Sequence, residues 1–143
     1  ADLYYDEAGK PHLKDGTFIS ITHSFDFTGI ILSRKQEVGI DIEKQRDKIL
    51  RIAHRFTPVR EYRTLANDQA LIRKLTMVWG AKESIYKIMG IHGLSFLNHI
   101  RVAEFDMEHG HTSAEVLIKG TSGRFEVYFM EFEGFTLAYA LSV

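Results

Sequence analysis

The longest helix-like run in the sequence extends from about Asn67 to Gly90, and it limits what the chain can fold into. Within it, Trp79, Glu83 and Lys87 are spaced four residues apart, so a helix brings a ring, a carboxylate and an ammonium onto one stripe. A second stripe has the spacing of a core-facing surface and comprises Leu71, Leu75, Val78, Ile85 and Met89. The run predicts a helix that packs on a core and forms the wall of a site. The alternative is that Glu83 and Lys87 form an ordinary exposed ion pair, which stabilises a helix only weakly.

Length and composition favour a single soluble domain, residues 1–143, with one sizeable core. The net charge of -1 gives no overall field that would favour nucleic acid or an anionic membrane. The absence of cysteine excludes disulfides and thiolate metal sites. No apolar run reaches the length of a membrane span and no signal peptide opens the chain, so we expect a cytoplasmic protein. Because the chain begins at Ala1 without an initiator Met, we expect that the natural protein is longer or is processed.

The first half of the chain carries three strand patterns. Thr17–Ser24 and Phe27–Ser33 predict the two strands of a hairpin. Glu37–Glu43 alternates strictly, which predicts a strand with Val38, Ile40 and Ile42 on a core face and with Gly39, Asp41 and Glu43 on the other. The glycine beside the two carboxylates leaves space for a close approach, which suits a Mg²⁺ site as well as a solvated strand edge.

Other segments complete the fold prediction. Residues 44–55 are basic with a helical pattern, which suits either a solvated helix face or a docking surface for an acidic partner. Thr57 and Asn67 have the character of helix N-caps. Four apolar runs predict an antiparallel meander: Ile100–Met107, Ser113–Lys119, Phe125–Phe132 and Phe135–Ser142. We therefore predict an α+β fold with a three- to four-stranded antiparallel sheet packed on the long helix.

Three blocks in this order resemble the 4′-phosphopantetheinyl transferases, specifically the larger surfactin-synthetase-type members. The blocks are Ile19–Ser24, Val38–Lys44 and Trp79–Lys87, with supporting matches at Gly9-Lys10-Pro11, Arg55–Pro58 with Glu61-Tyr62, and Gly93-Leu94-Ser95. Together they span nearly the whole chain.

The resemblance implies Mg²⁺-dependent transfer of phosphopantetheine, with Mn²⁺ as a possible substitute. The donor is coenzyme A, the acceptor is a serine hydroxyl of an apo acyl or peptidyl carrier protein, and adenosine 3′,5′-bisphosphate is released. It assigns Asp41, Glu43 and Glu83 to the metal, Glu83 also to the general base, and Lys87 to the phosphates and the leaving oxygen. It assigns Lys10 and Pro11 to the nucleotide end of coenzyme A, and Ser20, Thr22 and His23 to the region of its 3′-phosphate. Trp79 and Lys82 are expected to support the helix.

Two departures from the family pattern matter. Thr22 stands where serine is usual, which keeps the hydroxyl. The chain resembles the second half of the larger members together with a lead-in segment, residues 1–16, and their first half has no counterpart here. The resemblance therefore leaves two expectations, a longer natural chain or self-association that completes the site. Two rival functions remain, a non-catalytic module that binds a carrier protein or coenzyme A, and a two-carboxylate metal phosphohydrolase.

Overall fold

The computed structural model describes residues 2–62 and 67–143. Its nine strands are β1 (Leu3–Tyr5), β2 (Pro11–Leu13), β3 (Phe18–Ser24), β4 (Phe27–Ser33), β5 (Val38–Lys44), β6 (Ile100–Val102), β7 (His111–Ile118), β8 (Thr121–Phe132) and β9 (Phe135–Ser142). Its α-helices are α1 (Ile49–Ile52), α2 (Asp68–Met89) and α3 (Phe96–His99), and short 3-10 helices cover Ala53–Arg55, Val59–Tyr62 and Met107–His109. The α+β prediction is confirmed.

The main sheet is antiparallel and has the strand order β5-β9-β8-β7-β6. It has five strands, one more than the predicted maximum, because β5 pairs with β9 along its whole length instead of lying apart from the meander. Two further antiparallel pairs, β1 with β2 and β3 with β4, form separate two-stranded sheets. The lead-in segment predicted for residues 1–16 therefore contains the β1–β2 hairpin.

Helix α2 is the organising element, as its sequence predicts. The side chain of Asn67 accepts a hydrogen bond from the backbone N–H of Ala70, and Gly90 ends the helix in a left-handed conformation with φ 60°. One core cluster lies between the sheet and residues Ala81, Ile85 and Ile88 of the helix. A second cluster packs on the N-terminal half of the helix and includes Ile49, Ala53, Phe56, Ile72, Leu75, Met77, Val78 and Phe105. The two clusters follow one another along α2, and twelve of its 22 residues are buried.

Three local predictions are wrong in extent. The basic segment 44–55 is not one helix, because Lys44 ends β5 and the backbone N–H of Gln45 donates to the carbonyl of Gly134, which keeps the chain beside β9. Thr57 does not cap a helix through its hydroxyl, which lies buried 3.3 Å from the Tyr62 hydroxyl. The strand predicted over Ile100–Met107 ends at Val102.

No helix among the described residues has both the length and the apolar content needed to cross a membrane.

Candidate active site

Strand β5 lies directly against helix α2 at Gly39. A Cβ atom added at this position would lie 1.9 Å from the backbone oxygen of Ser84, so only glycine permits the approach. The Ser84 hydroxyl donates to the carbonyls of Gly80 and Ala138 at 2.8 and 3.1 Å, which ties the helix to the neighbouring strand β9. The space predicted beside Gly39 is therefore occupied by the helix itself, and this packing turns the next polar side chain of β5 towards α2.

That side chain is Asp41, which is only 5% exposed. Its Oδ1 lies 3.7 Å from the Lys87 ammonium, and its Oδ2 is buried with no hydrogen-bond partner among the described residues. Burial, a side-chain contact with the Glu43 carboxyl and the charges of Glu43 and Glu83 together raise the pKa of Asp41 to about 9, while Lys87 opposes the increase. The position of this carboxyl therefore suits a proton or a cation.

Glu83, on α2, belongs to the same electrostatic group. Burial raises its pKa above the ordinary value, Glu43 adds to the increase, and Lys87 opposes it. Among the predicted metal ligands, Glu43 is thus close enough to Asp41 and Glu83 to disfavour the ionisation of both. Across residues 2–62 and 67–143, however, no three His, Cys, Asp or Glu side chains form a group arranged to hold a metal ion.

The donor set nevertheless fits Mg²⁺. This ion takes oxygen ligands and usually binds through one or two carboxylates together with water and substrate phosphates, so a complete protein cage is not required. The buried Asp41 Oδ2, which lacks a hydrogen-bond partner within residues 2–62 and 67–143, is the strongest sign of an unmet demand for positive charge. Asp41 and Glu43 from β5, with Glu83 from α2, are the residues that could hold such an ion.

Lys87 is bound to the backbone of two strands. Its ammonium donates to the carbonyl of Ile40 at 2.6 Å and to that of Ile21 at 3.2 Å. The lysine predicted to contact phosphates therefore connects β3 and β5 to helix α2 beside Asp41.

A cleft of about 340 Å³ opens next to Lys87. Four of the predicted site residues line it: Lys10, Pro11, Ser20 and Lys87. The residues around this cleft include two lysines and no carboxylate, which suits an anionic ligand. Tyr86 and His92 also line it and were not singled out from the sequence, although the closely spaced Gly90 and Gly93 mark a bend of the chain at His92.

The remaining predicted residues of the Ile19–Ser24 block divide between two faces of β3. Ser20 and Thr22 are buried and accept hydrogen bonds from the backbone N–H groups of Ile40 and Ile42 at 3.0 and 3.1 Å. His23 is exposed, with its Nδ1 3.2 Å from the Thr28 hydroxyl. Of these three residues, only Ser20 lines the cleft beside Lys87, and His23 lies on the other face of β3.

A second cleft, of about 250 Å³, lies at the other end of the carboxylate group. Its lining includes Phe25, Glu43, Lys44, Arg46, Lys48 and Trp79. Phe25 is 62% exposed, with φ 53°, and the Lys44 ammonium and Arg46 guanidinium carbon lie 4.9 and 4.7 Å from its ring centroid. Sequence reasoning missed Phe25; the available signal was a large aromatic residue in a two-residue hairpin turn, where glycine, Asn or Asp is usual.

Trp79 and Lys82 support the helix, as expected. The Trp79 ring packs on those of Phe56 and Phe96, with centroids 5.0 and 5.3 Å away. The Lys82 ammonium donates to the backbone carbonyls of the same two residues at 2.6 and 2.7 Å, and burial lowers the pKa of Lys82 to about 8. These contacts join α2 to both segments that cover it and fix the helix on which Glu83 lies.

Comparisons with known proteins identify the family of the chain. The profile of the 4′-phosphopantetheinyl transferase superfamily matches residues 37–140, which include β5, α2 and the rest of the main sheet. The chain belongs to this superfamily. It is also similar to the 4′-phosphopantetheinyl transferase AcpT of Salmonella typhi, with 30% identity over 95 residues that cover 62% of this chain and 50% of the relative. The chain spans about half the length of the curated relative that it matches.

Proposed function

We propose that this protein transfers 4′-phosphopantetheine from coenzyme A to a serine hydroxyl of an apo acyl or peptidyl carrier protein, with Mg²⁺ as the activating ion. Membership of the superfamily supports the class of reaction. The observation that carries the proposal is the buried Asp41 carboxyl, which faces the helix that bears Glu83 and has one oxygen without a partner in the described part of the chain.

Mg²⁺ bound by Asp41, Glu43 and Glu83 would neutralise charge on the pyrophosphate of coenzyme A. The raised pKa values of Asp41 and Glu83 support this assignment. Buried carboxyls that lie close together are stabilised in their charged form when a cation binds between them.

Glu83 is proposed as the base that takes the serine proton, directly or through a water molecule. Its raised pKa makes its carboxylate a stronger base than an ordinary glutamate. The serine oxygen forms a bond to the β-phosphorus, the bond from that phosphorus to the bridging oxygen breaks, and adenosine 3′,5′-bisphosphate leaves with the electron pair. Lys87, beside Asp41, would stabilise the charge on the phosphates once its ammonium turns from the backbone carbonyls to them.

The two clefts suit the two substrates. The carboxylate-free cleft around Lys10, Pro11 and Lys87 would take the nucleotide end of coenzyme A. The exposed His23, on the same strand as the cleft residue Ser20, would donate a hydrogen bond near the 3′-phosphate. The cleft around Phe25, Lys44 and Arg46 would receive the carrier protein, since it combines an exposed ring with positive charge. Both substrates fit the expected cytoplasmic setting.

The test is incubation of the protein with Mg²⁺, coenzyme A and a set of apo carrier proteins, followed by intact-mass analysis of the carriers. We expect a gain of one phosphopantetheine on the carrier and an equal amount of adenosine 3′,5′-bisphosphate. No gain on any carrier type, with binding of coenzyme A demonstrated by calorimetry, would overturn the proposal.

The same experiment separates the rival functions. Binding of a carrier or coenzyme A without transfer would indicate a non-catalytic module, for which the coverage of half the relative is the motivating observation. Release of phosphate or nucleotide without any carrier would indicate a phosphohydrolase. Sedimentation of the protein with and without coenzyme A would also test the expected self-association.

A further inference from the structure

Strand β5 lies at the edge of the main sheet. It pairs with β9 on one side, and no other strand of the described residues pairs with its second side. The N–H and C=O groups on the other side need partners wherever water cannot reach them. Val38, Ile40 and Ile42 are all 5% exposed or less, so this free edge is buried. Its partners are side chains instead of a further strand.

Two of these partners are hydroxyl groups from β3. Ser20 Oγ accepts from the backbone N–H of Ile40, and Thr22 Oγ1 accepts from that of Ile42. The two hydroxyls are two residues apart on β3, as are their donors on β5, so the hairpin lies along the edge in a fixed register. Gly29 permits this contact, since a Cβ at that position would lie 2.9 Å from Thr22 Cγ2.

The third partner is Lys87, which donates to the Ile40 carbonyl. The peptide group before Asp41 is therefore held through its carbonyl by Lys87, and the peptide group after Asp41 is held through its N–H by Thr22. On the opposite side, Asp41 pairs with Ala138 of β9. The backbone of Asp41 is thus anchored from both edges of its strand.

We propose that Ser20 and Thr22 are positioning residues that fix the backbone on either side of Asp41, so that its unpartnered carboxyl oxygen is held ready for a cation. The inference rests on the proposed function for the identity of that cation. It differs from the assignment of both hydroxyls to the 3′-phosphate, which the resemblance implies. Both side chains are only 4% exposed, and the lone pairs that they direct at β5 are already engaged.

The variants for the test are Ser20→Ala, Thr22→Val and the conservative Thr22→Ser, made in the full chain. Thr112→Val is the matched control. Thr112 lies in β7, is also buried, and its hydroxyl donates to the Ala103 carbonyl at 3.0 Å. Three quantities are measured: hydrogen exchange of the Ile40 and Ile42 amides, Mg²⁺ affinity by calorimetry without coenzyme A, and KM for coenzyme A.

We expect faster exchange at Ile40 in Ser20→Ala and at Ile42 in Thr22→Val, and Mg²⁺ affinity lower by about 10- to 100-fold, as is typical of lost outer-shell support. At saturating Mg²⁺, KM for coenzyme A should stay within about twofold in Thr22→Val, because Thr22, unlike Ser20, does not line the cleft proposed for the nucleotide. Thr22→Ser should keep wild-type values, and Thr112→Val should lower thermal stability without changing Mg²⁺ affinity.

A raised KM for coenzyme A with unchanged Mg²⁺ affinity would overturn the inference in favour of direct phosphate contact. Unchanged amide exchange, or absence of Mg²⁺ binding by the wild-type protein, would also overturn it. If the wild-type protein binds Mg²⁺ and the variants weaken that binding, but no carrier is modified, the positioning role stands and the proposed transferase function fails. If Thr22→Val does not fold, Ser20→Ala still tests the amide exchange of Ile40 and the Mg²⁺ affinity, with Thr22→Ser as the conservative variant.

Discussion

The Lys87 ammonium lies 3.7 Å from Asp41 Oδ1, beyond hydrogen-bonding distance, while it donates to a backbone carbonyl at 2.6 Å. The lysine therefore lowers the negative potential at the carboxyl without satisfying its oxygens. Because Asp41 Oδ2 has no partner among the described residues, the carboxyl keeps the capacity to bind a proton or a metal ion. This incomplete ion pair separates the site from an ordinary buried salt bridge.

Replacement of Glu83 by Gln tests its role as the base. The amide keeps the shape of the side chain but cannot accept the serine proton, so kcat should fall by about 10²- to 10⁴-fold. Coenzyme A binding, measured by calorimetry, should weaken far less. Equal losses in turnover and in coenzyme A affinity would argue against the base role and leave Glu83 as a ligand only.

Replacement of Asp41 by Asn tests the metal role. With a pKa raised to about 9, the buried Asp41 carboxyl is protonated at neutral pH in the absence of metal. The neutral Asn side chain should therefore change the unfolding free energy of the metal-free protein by no more than about 1 kcal/mol. Mg²⁺ should raise the melting temperature of the wild-type protein and not that of the variant, since binding to the native state alone stabilises it. Glu115→Gln, at an exposed position on β7, is the control that should keep the Mg²⁺ response. A wild-type response in Asp41→Asn would remove Asp41 from the metal site.

Replacement of Gly39 by Ala tests the packing that places Asp41. The added methyl would overlap the backbone of α2 at Ser84, and backbone yields less readily than a side chain. We expect a loss of about 3 kcal/mol in unfolding free energy, measured in urea, together with weaker Mg²⁺ binding. Gly123→Ala is the comparison and should cost less, because its nearest atoms are side-chain atoms of the Phe125 ring at 3.2 Å, farther than the backbone oxygen that Gly39→Ala meets at 1.9 Å. Similar losses for the two variants would contradict the special role of Gly39.

The bounds of helix α2 could be predicted because the signals at its ends are local. Asn67 caps through its own side chain, and Gly90 supplies the left-handed residue that ends the helix. The apolar alternation of β5 was also sufficient to predict a strand and to place Asp41 opposite Ile40 and Ile42.

What the sequence could not provide was the set of contacts between distant segments. The pairing of β5 with β9 links residues about 100 positions apart, for example Val38 with Leu141, and no local pattern encodes it. The pattern of β3 does not reveal that Ser20 and Thr22 face a buried edge, since small polar residues at alternate positions also suit a ligand site. The basic run 44–55 favoured a helix, but tertiary hydrogen bonds of Gln45 prevail over that preference.

The ion pair between Arg73 and Glu131 predicts a loss of stability in acid. Two hydrogen bonds of 2.8 and 2.9 Å join the guanidinium to the carboxylate, and this contact lowers the pKa of Glu131 below its ordinary value. A carboxyl with a lower pKa in the folded state stabilises the fold above its unfolded pKa and loses that contribution as pH falls through the folded value. The unfolding free energy of the wild type, measured in urea, should therefore fall between about pH 7 and about pH 3. In Glu131→Gln this fall should be smaller by about 0.5–1 kcal/mol. The exposed Glu133→Gln is the control, and identical pH profiles for the two variants would contradict the prediction.

The exposed ring of Phe25 predicts where the carrier protein binds. Phe25 combines an apolar surface with the neighbouring charges of Lys44 and Arg46, which suits a partner with apolar and acidic groups. Phe25→Ala should raise KM for the carrier protein by about tenfold and leave KM for coenzyme A unchanged, because an anchor at a docking surface contributes about 1–2 kcal/mol. Phe18→Ala, at the opposite end of the same hairpin, is the matched control and should change neither constant. Steady-state kinetics with each substrate varied in turn distinguishes these outcomes. If Phe25→Ala instead raised KM for coenzyme A, the cleft around Phe25 would belong to the nucleotide, and the assignment of the two clefts would have to be reversed.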